Sequence, residues 1–99
     1  MQPKRFSDFA EERAPLDGEK IRLEQVLNRE INIIGFAVSR SRYEKNKSGK
    51  CLTIQMEVDH ARRVLFTGSD VLIEQLEKYG EQIPFMTTIK KIDRYYTLS

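Results

Sequence analysis

Two adjacent stretches decide the fold: INIIGFAVSRSRY at residues 31–43 and CLTIQMEVD at residues 51–59. The second stretch alternates between apolar and polar side chains, which is typical of an antiparallel strand with one buried face. Its apolar positions are Leu52, Ile54, Met56 and Val58. The first stretch is rich in β-branched and aromatic residues and also predicts a strand, but its alternation changes phase at Gly35. A glycine at a phase change predicts a β-bulge.

The residues that follow predict a third strand and then a helix. Residues 59–62 are predicted to form a hairpin connection into a strand over residues 63–67. Ser69 is a suitable N-cap, and apolar side chains at helical spacing follow it as far as Gly80. The pattern therefore predicts a helix that packs one apolar stripe on the sheet.

The C-terminal residues predict two more strands, over residues 85–92 and 95–98. A short helix or turn over residues 21–27 is predicted to lead into the first strand. The complete order is strand, strand, strand, helix, strand, strand, which is the plan of the OB-fold. We therefore predict a mainly β chain with one helix, folded as a five-stranded OB-fold-like barrel.

The chain length of 99 residues predicts one domain with a modest core. We place a single OB-fold-like domain at residues 17–99 and a mobile N-terminal tail at residues 1–16. The N-terminal sequence lacks the apolar core of a signal peptide, and no apolar run reaches the roughly 18 residues of a membrane span. The expected location is the cytoplasm, with no membrane partner.

The composition disfavours catalysis. One cysteine and one histidine exclude an internal disulfide framework and a His-rich metal site. No residue at a recognisable sequence spacing from Cys51 could act as the base that activates its thiol. His60 lies in the predicted turn, and no second His or Cys is nearby to complete a metal site. The sequence contains neither a glycine-rich phosphate loop nor a GxSxG motif. We therefore expect a protein that is not an enzyme and needs no cofactor or metal.

The charges are unevenly distributed, although the net charge is only +2. Residues 40–50 carry five basic side chains and one acidic, and residues 90–94 carry three basic and one acidic. By contrast, residues 69–82 carry four acidic side chains and one basic. The two basic runs coincide with the loops that flank the ligand face of an OB barrel, here residues 43–50 and 93–94. This placement predicts an anionic polymer as the ligand.

Single-stranded nucleic acid requires cations for its phosphates and aromatic rings for its bases. Tyr43 borders the first loop, and Tyr95 and Tyr96 border the second. Adjacent residues of a strand point to opposite faces, so only one of Tyr95 and Tyr96 is expected to face the ligand. The alternation of the strand does not show which of the two it is. Core positions are predicted for four other aromatic residues, Phe36, Phe66, Tyr79 and Phe85. Phosphate binding is predicted for Arg40, Arg42, Lys45, Lys47, Lys50 and Arg94.

The sequence of residues 20–99 resembles that of small single-stranded-DNA-binding-like proteins with an OB-fold, which are encoded by phages and mobile elements of Gram-positive bacteria. The segments that carry the resemblance are SRY and the Lys-rich turn at 41–50, FTGS at 66–69, PF at 84–85 and RYY at 94–96. The resemblance implies a role in replication or recombination. It transfers no individual DNA contact to this sequence.

Two functions from different classes follow from the sequence. The first is non-enzymatic, weakly sequence-specific binding of single-stranded nucleic acid, with DNA favoured over RNA. The alternative is a protein–protein interaction module that acts on a replication or regulatory partner, suggested by the acidic helix and the small net charge. The sequence does not decide the oligomeric state, but a homo-oligomer would favour the first function, because several linked copies bind an extended strand more tightly than one.

Overall fold

The computed structural model describes residues 16–40 and 47–99. Within these ranges the backbone forms six strands and two α-helices, and a turn of 3₁₀-helix at Gly80–Gln82 follows the longer helix. The elements in chain order are β1 (Glu19–Lys20), α1 (Leu23–Val26), β2 (Glu30–Arg40), β3 (Lys50–Val58), β4 (Ala61–Thr67), α2 (Asp70–Tyr79), β5 (Phe85–Ile92) and β6 (Tyr95–Leu98).

The six strands form one open sheet in the order β1-β4-β3-β2-β5-β6. All neighbours are antiparallel except β1 and β4, which run parallel. The mainly β class is therefore confirmed, as is the position of the long helix between the third and fourth predicted strands. The predicted five-stranded barrel is wrong, because the strands form one open sheet and number six.

The extra strand explains the difference in strand number. β1 has only two residues, Glu19 and Lys20, which pair with Arg63 and Val64 of β4. A two-residue strand has no hydrophobic period of its own, and its partner lies more than forty positions away in the sequence. The sheet position of β1 is thus decided by a distant contact that a local pattern does not encode.

The predicted bulge in β2 is confirmed. The register of β2 against β3 shifts between Ile33 and Gly35, so that Ile34 has no direct partner on β3. Before the bulge, Ile33 is fully buried, and after it Phe36 packs against the core. The extra residue thus lets β2 keep apolar side chains on the core side over its whole length, although the parity of the sequence changes.

The core confirms the alternation of β3. Leu52, Ile54 and Met56 are fully buried, and burial of each such side chain contributes about 1.5–3 kcal/mol. The helix α2 covers them with three more buried residues, Leu72, Ile73 and Leu76. The predicted N-cap is also confirmed, because the hydroxyl of Ser69 accepts a hydrogen bond from the backbone N–H of Leu72 at 3.4 Å.

Two of the four aromatic residues predicted in the core are half exposed. Phe36 and Phe85 pack against the core, whereas Phe66 and Tyr79 are each 50% exposed. Phe66 pairs with Thr53 on the polar side of β3, opposite in orientation to the buried Ile54. Tyr79 is the last residue of α2 and lies beyond the buried stripe of that helix. The prediction of core positions for Phe66 and Tyr79 is therefore wrong.

Gly80 follows α2, but it does not adopt the left-handed conformation that a terminal glycine often provides. Its φ of −60° is helical. A Cβ atom at this position would lie 2.2 Å from Cε1 of Phe36, so the glycine is required by the close packing of that ring.

The longest helix within residues 16–40 and 47–99 has ten residues. In this part of the chain no helix combines the length and the apolar character that a membrane crossing requires.

Candidate nucleic-acid interface

The described part of the predicted basic loop is docked on the acidic helix α2. The backbone N–H of Lys47 donates to Oδ2 of Asp70 at 3.1 Å, and the hydroxyl of Ser48 also bonds Asp70. The ammonium of Lys50 lies 3.4 Å from Oε1 of Glu77. These contacts place acidic side chains beside the basic run. Lys50 is therefore partly neutralised before any ligand arrives.

The other predicted members of this region divide into two groups. Arg40 is exposed at the end of β2. Arg42, Tyr43 and Lys45 lie outside the described residues, so their roles stay predictions.

The β5–β6 hairpin carries the second set of predicted residues. Arg94 lies in its two-residue turn, and Ile92 pairs with Tyr95 on one face. These two side chains are 47% and 45% exposed. On the opposite face, Lys91 pairs with Tyr96, whose ring packs against the core. The sequence did not decide how the two tyrosines are oriented. The structure shows that Tyr96 contacts the core and that Tyr95 points outward.

Two adjoining cavities lie between β4 and β6, at the open side of the sheet. We call them together the seam groove. Their volumes are about 310 and 260 Å³, and both are lined by Thr67 and Tyr96. The first cavity extends along the segment 20–24, and the second extends to the β5–β6 turn. The aromatic and charged residues that line the two cavities are Lys20, Arg22, Glu24, Phe66, Asp70, Arg94, Tyr95 and Tyr96.

Basic groups accompany each aromatic ring of the seam groove. The ammonium of Lys20 lies 5.3 Å from the centroid of Phe66, and that of Lys91 lies 5.9 Å from the centroid of Tyr96. Tyr95 follows Arg94 directly in the chain, and both line the same cavity. The groove therefore combines flat rings with neighbouring positive charges, the two features that bases and phosphates require.

Sequence reasoning missed Phe66, Lys20 and Arg22. The signal for Phe66 was present in the alternation of β4. Phe66 pairs with Thr53, and the predicted four-residue connection would pair it with Gln55 instead, so either register places Phe66 on the outer face, opposite to Ile54. The apolar residues around Phe66 outweighed this parity in the prediction. Lys20 and Arg22 reach the groove only because β1 pairs with β4.

A short segment, residues 16–18, crosses the outer face of the sheet, and we call it the strap. Cδ2 of Leu16 lies 2.8 Å from the position that a Cβ of Gly35 on β2 would occupy. Nε2 of Gln55 on β3 donates to the carbonyl oxygen of Asp17 at 3.0 Å and to its carboxylate at 2.8 Å. Gly18 then passes over the backbone of Arg62 and Arg63 on β4. Three consecutive residues thus cross three strands.

The strap lies where the sequence analysis placed the ligand. In an OB barrel the ligand face spans the second and third strands, which correspond here to β3 and β4. The centre of that face is occupied by the chain's own residues, which no local pattern predicts. Gly18 has a φ of +143°, a conformation that other residues rarely adopt, so the tight crossing depends on a glycine at this position.

The remaining candidates for chemistry are unremarkable in position. His60 is exposed in the β3–β4 turn, and Cys51 is a half-buried free thiol. Among the described residues, no group of three or more His, Cys, Asp or Glu side chains is placed to hold a metal ion.

Comparison with known proteins places most of the chain in one family. A family profile described as a domain of unknown function, DUF8468, matches residues 17–99. No curated protein and no solved structure matches the chain.

Proposed function

The chain belongs to the DUF8468 family, whose function is unknown, and we propose that it is a non-enzymatic protein that binds single-stranded nucleic acid. DNA is favoured over RNA, with weak sequence preference, in the replication or recombination of a phage or mobile element. The observation that carries the proposal is the seam groove, in which Phe66, Tyr95 and Tyr96 are each accompanied by a basic side chain.

The strand arrangement supports a relationship to the OB plan. Without β1, the order is β4-β3-β2-β5-β6, and the long helix lies between β4 and β5 in sequence. An OB-fold is a partly open barrel, so an opening between its third and fifth strands is compatible with that plan. We propose that this chain is an OB-like sheet with β1 added at the edge of β4.

The chemistry of the groove suits stacking more than sequence readout. Base–aromatic stacking contributes about 1–3 kcal/mol per base and tolerates every base, because each has a flat π face. Phe66 and Tyr95 are the two half-exposed rings that line the groove. In this proposal they stack bases, while Lys20, Arg22 and Arg94 bind the phosphates.

The basic run 40–50 has a secondary part in the proposal. Lys50 must exchange Glu77 for a phosphate, which reduces the net gain from that contact. Arg40 and Lys47, together with Arg42, Tyr43 and Lys45 outside the described residues, would extend the track beyond the groove. We therefore expect Arg94→Ala to weaken binding more than Lys50→Ala.

Fluorescence anisotropy with a labelled single strand of about 30 nucleotides tests the proposal. Phe66→Ala and Tyr95→Ala should each weaken binding by about 5- to 100-fold, the effect of one lost stacking contact. Tyr79→Ala is a matched control, because Tyr79 is as exposed as Phe66 but lies at the C-terminal end of α2 and lines a different cavity from the seam groove. Binding should fall steeply with salt and should prefer the single strand over duplex competitor.

Two results would contradict this function. One is the absence of binding at low salt. The other is equal affinity of the Phe66, Tyr95 and Tyr79 variants for the oligonucleotide, which would mean that the groove does not contact bases.

The alternative, a protein-interaction module, is favoured by a different feature. A cavity of about 320 Å³ beside the C-terminal half of α2 is lined mainly by apolar groups, among them Tyr79 and the 55% exposed Met86. Purification of a partner from nuclease-treated lysate, followed by its loss with Tyr79→Ala plus Met86→Ala, would support this function. Retention of the partner by that variant would contradict it.

A further inference from the structure

The strap and the start of β1 place two carboxylates on the basic side chains of β4. Asp17 bonds Nη1 of Arg62 at 3.0 Å, and Glu19 forms an ion pair with Arg63. The first pair lies on the outer face, where Arg62 pairs across the strands with Glu57. The second lies on the other side of β4, because Arg63 pairs with the buried Met56. Backbone phosphates are the other anions that guanidinium groups commonly bind.

Beneath the strap lies a surface with several features of a binding floor. Gln55 is buried, with 8% of its surface exposed, and its amide nitrogen donates outward to Asp17. Its neighbour across the β2–β3 pair is Gly35, which has no side chain. Without the strap, this floor would present an amide group, an open glycine backbone and the side chain of Val64, beside the guanidinium of Arg62, which shares this face with Gln55.

We propose that this floor is a second nucleic-acid track, and that the strap holds it in a masked state by placing Asp17 where a backbone phosphate binds. The inference rests on the proposed function and concerns its regulation. Nucleic acid displaces the strap, a phosphate binds Arg62, and the amide of Gln55 becomes available to a base edge. The track joins the seam groove through Lys20, which stands over Phe66.

The contacts of the strap are of the kind that a polyanion displaces. The side chains of Asp17 and Glu19 are 62% and 78% exposed, and ion pairs between exposed groups are weak and screened by salt. β1 adds only two residues of parallel pairing, together with one hydrogen bond from the N–H of Ile21 to the carbonyl of Val64 at 2.9 Å. Displacement therefore leaves the core residues of β3 and β4 in place.

The test compares oligonucleotide binding by the full chain with binding by Asp17→Asn. We expect this strap variant to bind about two- to fivefold more tightly at low salt, because the competing carboxylate is removed. The slope of log affinity against log salt should steepen by about 0.7, the effect of one additional phosphate contact on a single strand.

Two further variants separate masking from a general charge effect. Glu81→Gln changes the net charge equally, at an exposed position of the 3₁₀ turn, and should leave the slope unchanged. Arg62→Gln, combined with the strap variant, should abolish the gain in affinity. Equal affinity of wild type and strap variant, an equal gain with Glu81→Gln, or a gain that survives the loss of Arg62 would each overturn the masking.

The proposed function and the masking fail in distinguishable ways. If wild type binds through Phe66 and Tyr95 but the strap variant gains nothing, only the masking is overturned. If neither wild type nor the strap variant binds, both are overturned. Hydrogen exchange at the amide of Ile21 gives an independent readout. Saturating oligonucleotide should lower the protection of this amide if the strap is displaced. If the strap stays in place, the protection should rise or remain unchanged.

Discussion

The β3–β4 and β5–β6 hairpins are built alike but use their apolar residues differently. Both are antiparallel pairs joined by two residues, as the pairings of Val58 with Ala61 and Ile92 with Tyr95 show. In the first hairpin, apolar residues of β3 are covered by α2 and are fully buried. At the tip of the second, the side chains of Ile92 and Tyr95 are about half exposed.

The comparison teaches that alternation determines which side chains share a face, while the neighbouring elements determine whether that face is buried. α2 packs beneath β3 and along β6 near Leu98, where Gln75 accepts a hydrogen bond from the backbone N–H. The tip of the β5–β6 hairpin extends past this contact, since the exposed run Lys90–Tyr95 follows the buried Ile89. The first hairpin therefore contributes mainly stability, whereas the tip of the second leaves side chains exposed for the ligand contacts that we propose.

The largest expected difference comes from the same substitution in each hairpin. Ile54→Ala removes a fully buried side chain and should lower the free energy of unfolding by about 2–5 kcal/mol. Ile92→Ala, at a position 47% exposed, should lower it by less than about 1 kcal/mol. Urea denaturation of both variants measures the difference. Similar losses would show that the tip of the second hairpin is buried in solution, contrary to the comparison.

The adjacent tyrosines of β6 sharpen the comparison within one strand. Tyr96→Ala removes a ring that packs against the core and should cost about 2 kcal/mol of stability. Tyr95→Ala should leave stability nearly unchanged and weaken oligonucleotide binding instead. Thermal unfolding and anisotropy on the same two proteins would separate the roles. A larger stability loss for the Tyr95 variant would reverse our assignment of the two faces.

The smallest expected effects concern the two turns. Asp59 and His60 both have positive φ, at 51° and 65°, whereas in the second turn Asp93 has a φ of 55° and Arg94 is outside the positive region. His60→Gly should therefore raise stability by about 0.5 kcal/mol, since glycine adopts positive φ without a steric penalty. Arg94→Gly should lower stability by a similar amount, because it only increases the freedom of the unfolded chain. The measurement is the denaturation midpoint of each variant. If both midpoints shift in the same direction, the backbone conformations assigned to the two turns are wrong.

Much of the fold was readable from local pattern. The period of two in β3, the phase change at Gly35 and the cap at Ser69 are each properties of a few neighbouring residues, and each was confirmed. Local sequence patterns do not predict whether the barrel closes, because closure depends on whether the distant strands β4 and β6 pair. β1 escaped prediction for the same reason, since its sheet position comes from pairing with the distant β4.

The candidate site was predicted only in part. Arg94, Tyr95 and Tyr96 were expected at a turn and its strand, and they lie there. Phe66 was expected in the core because its neighbours in the strand are apolar, but its pairing with Thr53 places it on the outer face of the sheet. Lys50 and Glu77 are 27 positions apart in the chain. The sequence therefore showed a basic run and an acidic run, but it did not predict that the two runs contact each other.

The amino-acid sequence by itself determined the strands β2 to β6, the helix α2 and the alternation that gives β3 one buried face, because hydrophobic period and capping act over a few residues. Only the tertiary structure decided that the sheet stays open, that residues 16–18 cross its outer face, and that Phe66, Tyr95 and Tyr96 line one groove. Those features depend on contacts between residues far apart in the chain, whose geometry is fixed only when the sheet, the helix and the strap pack together.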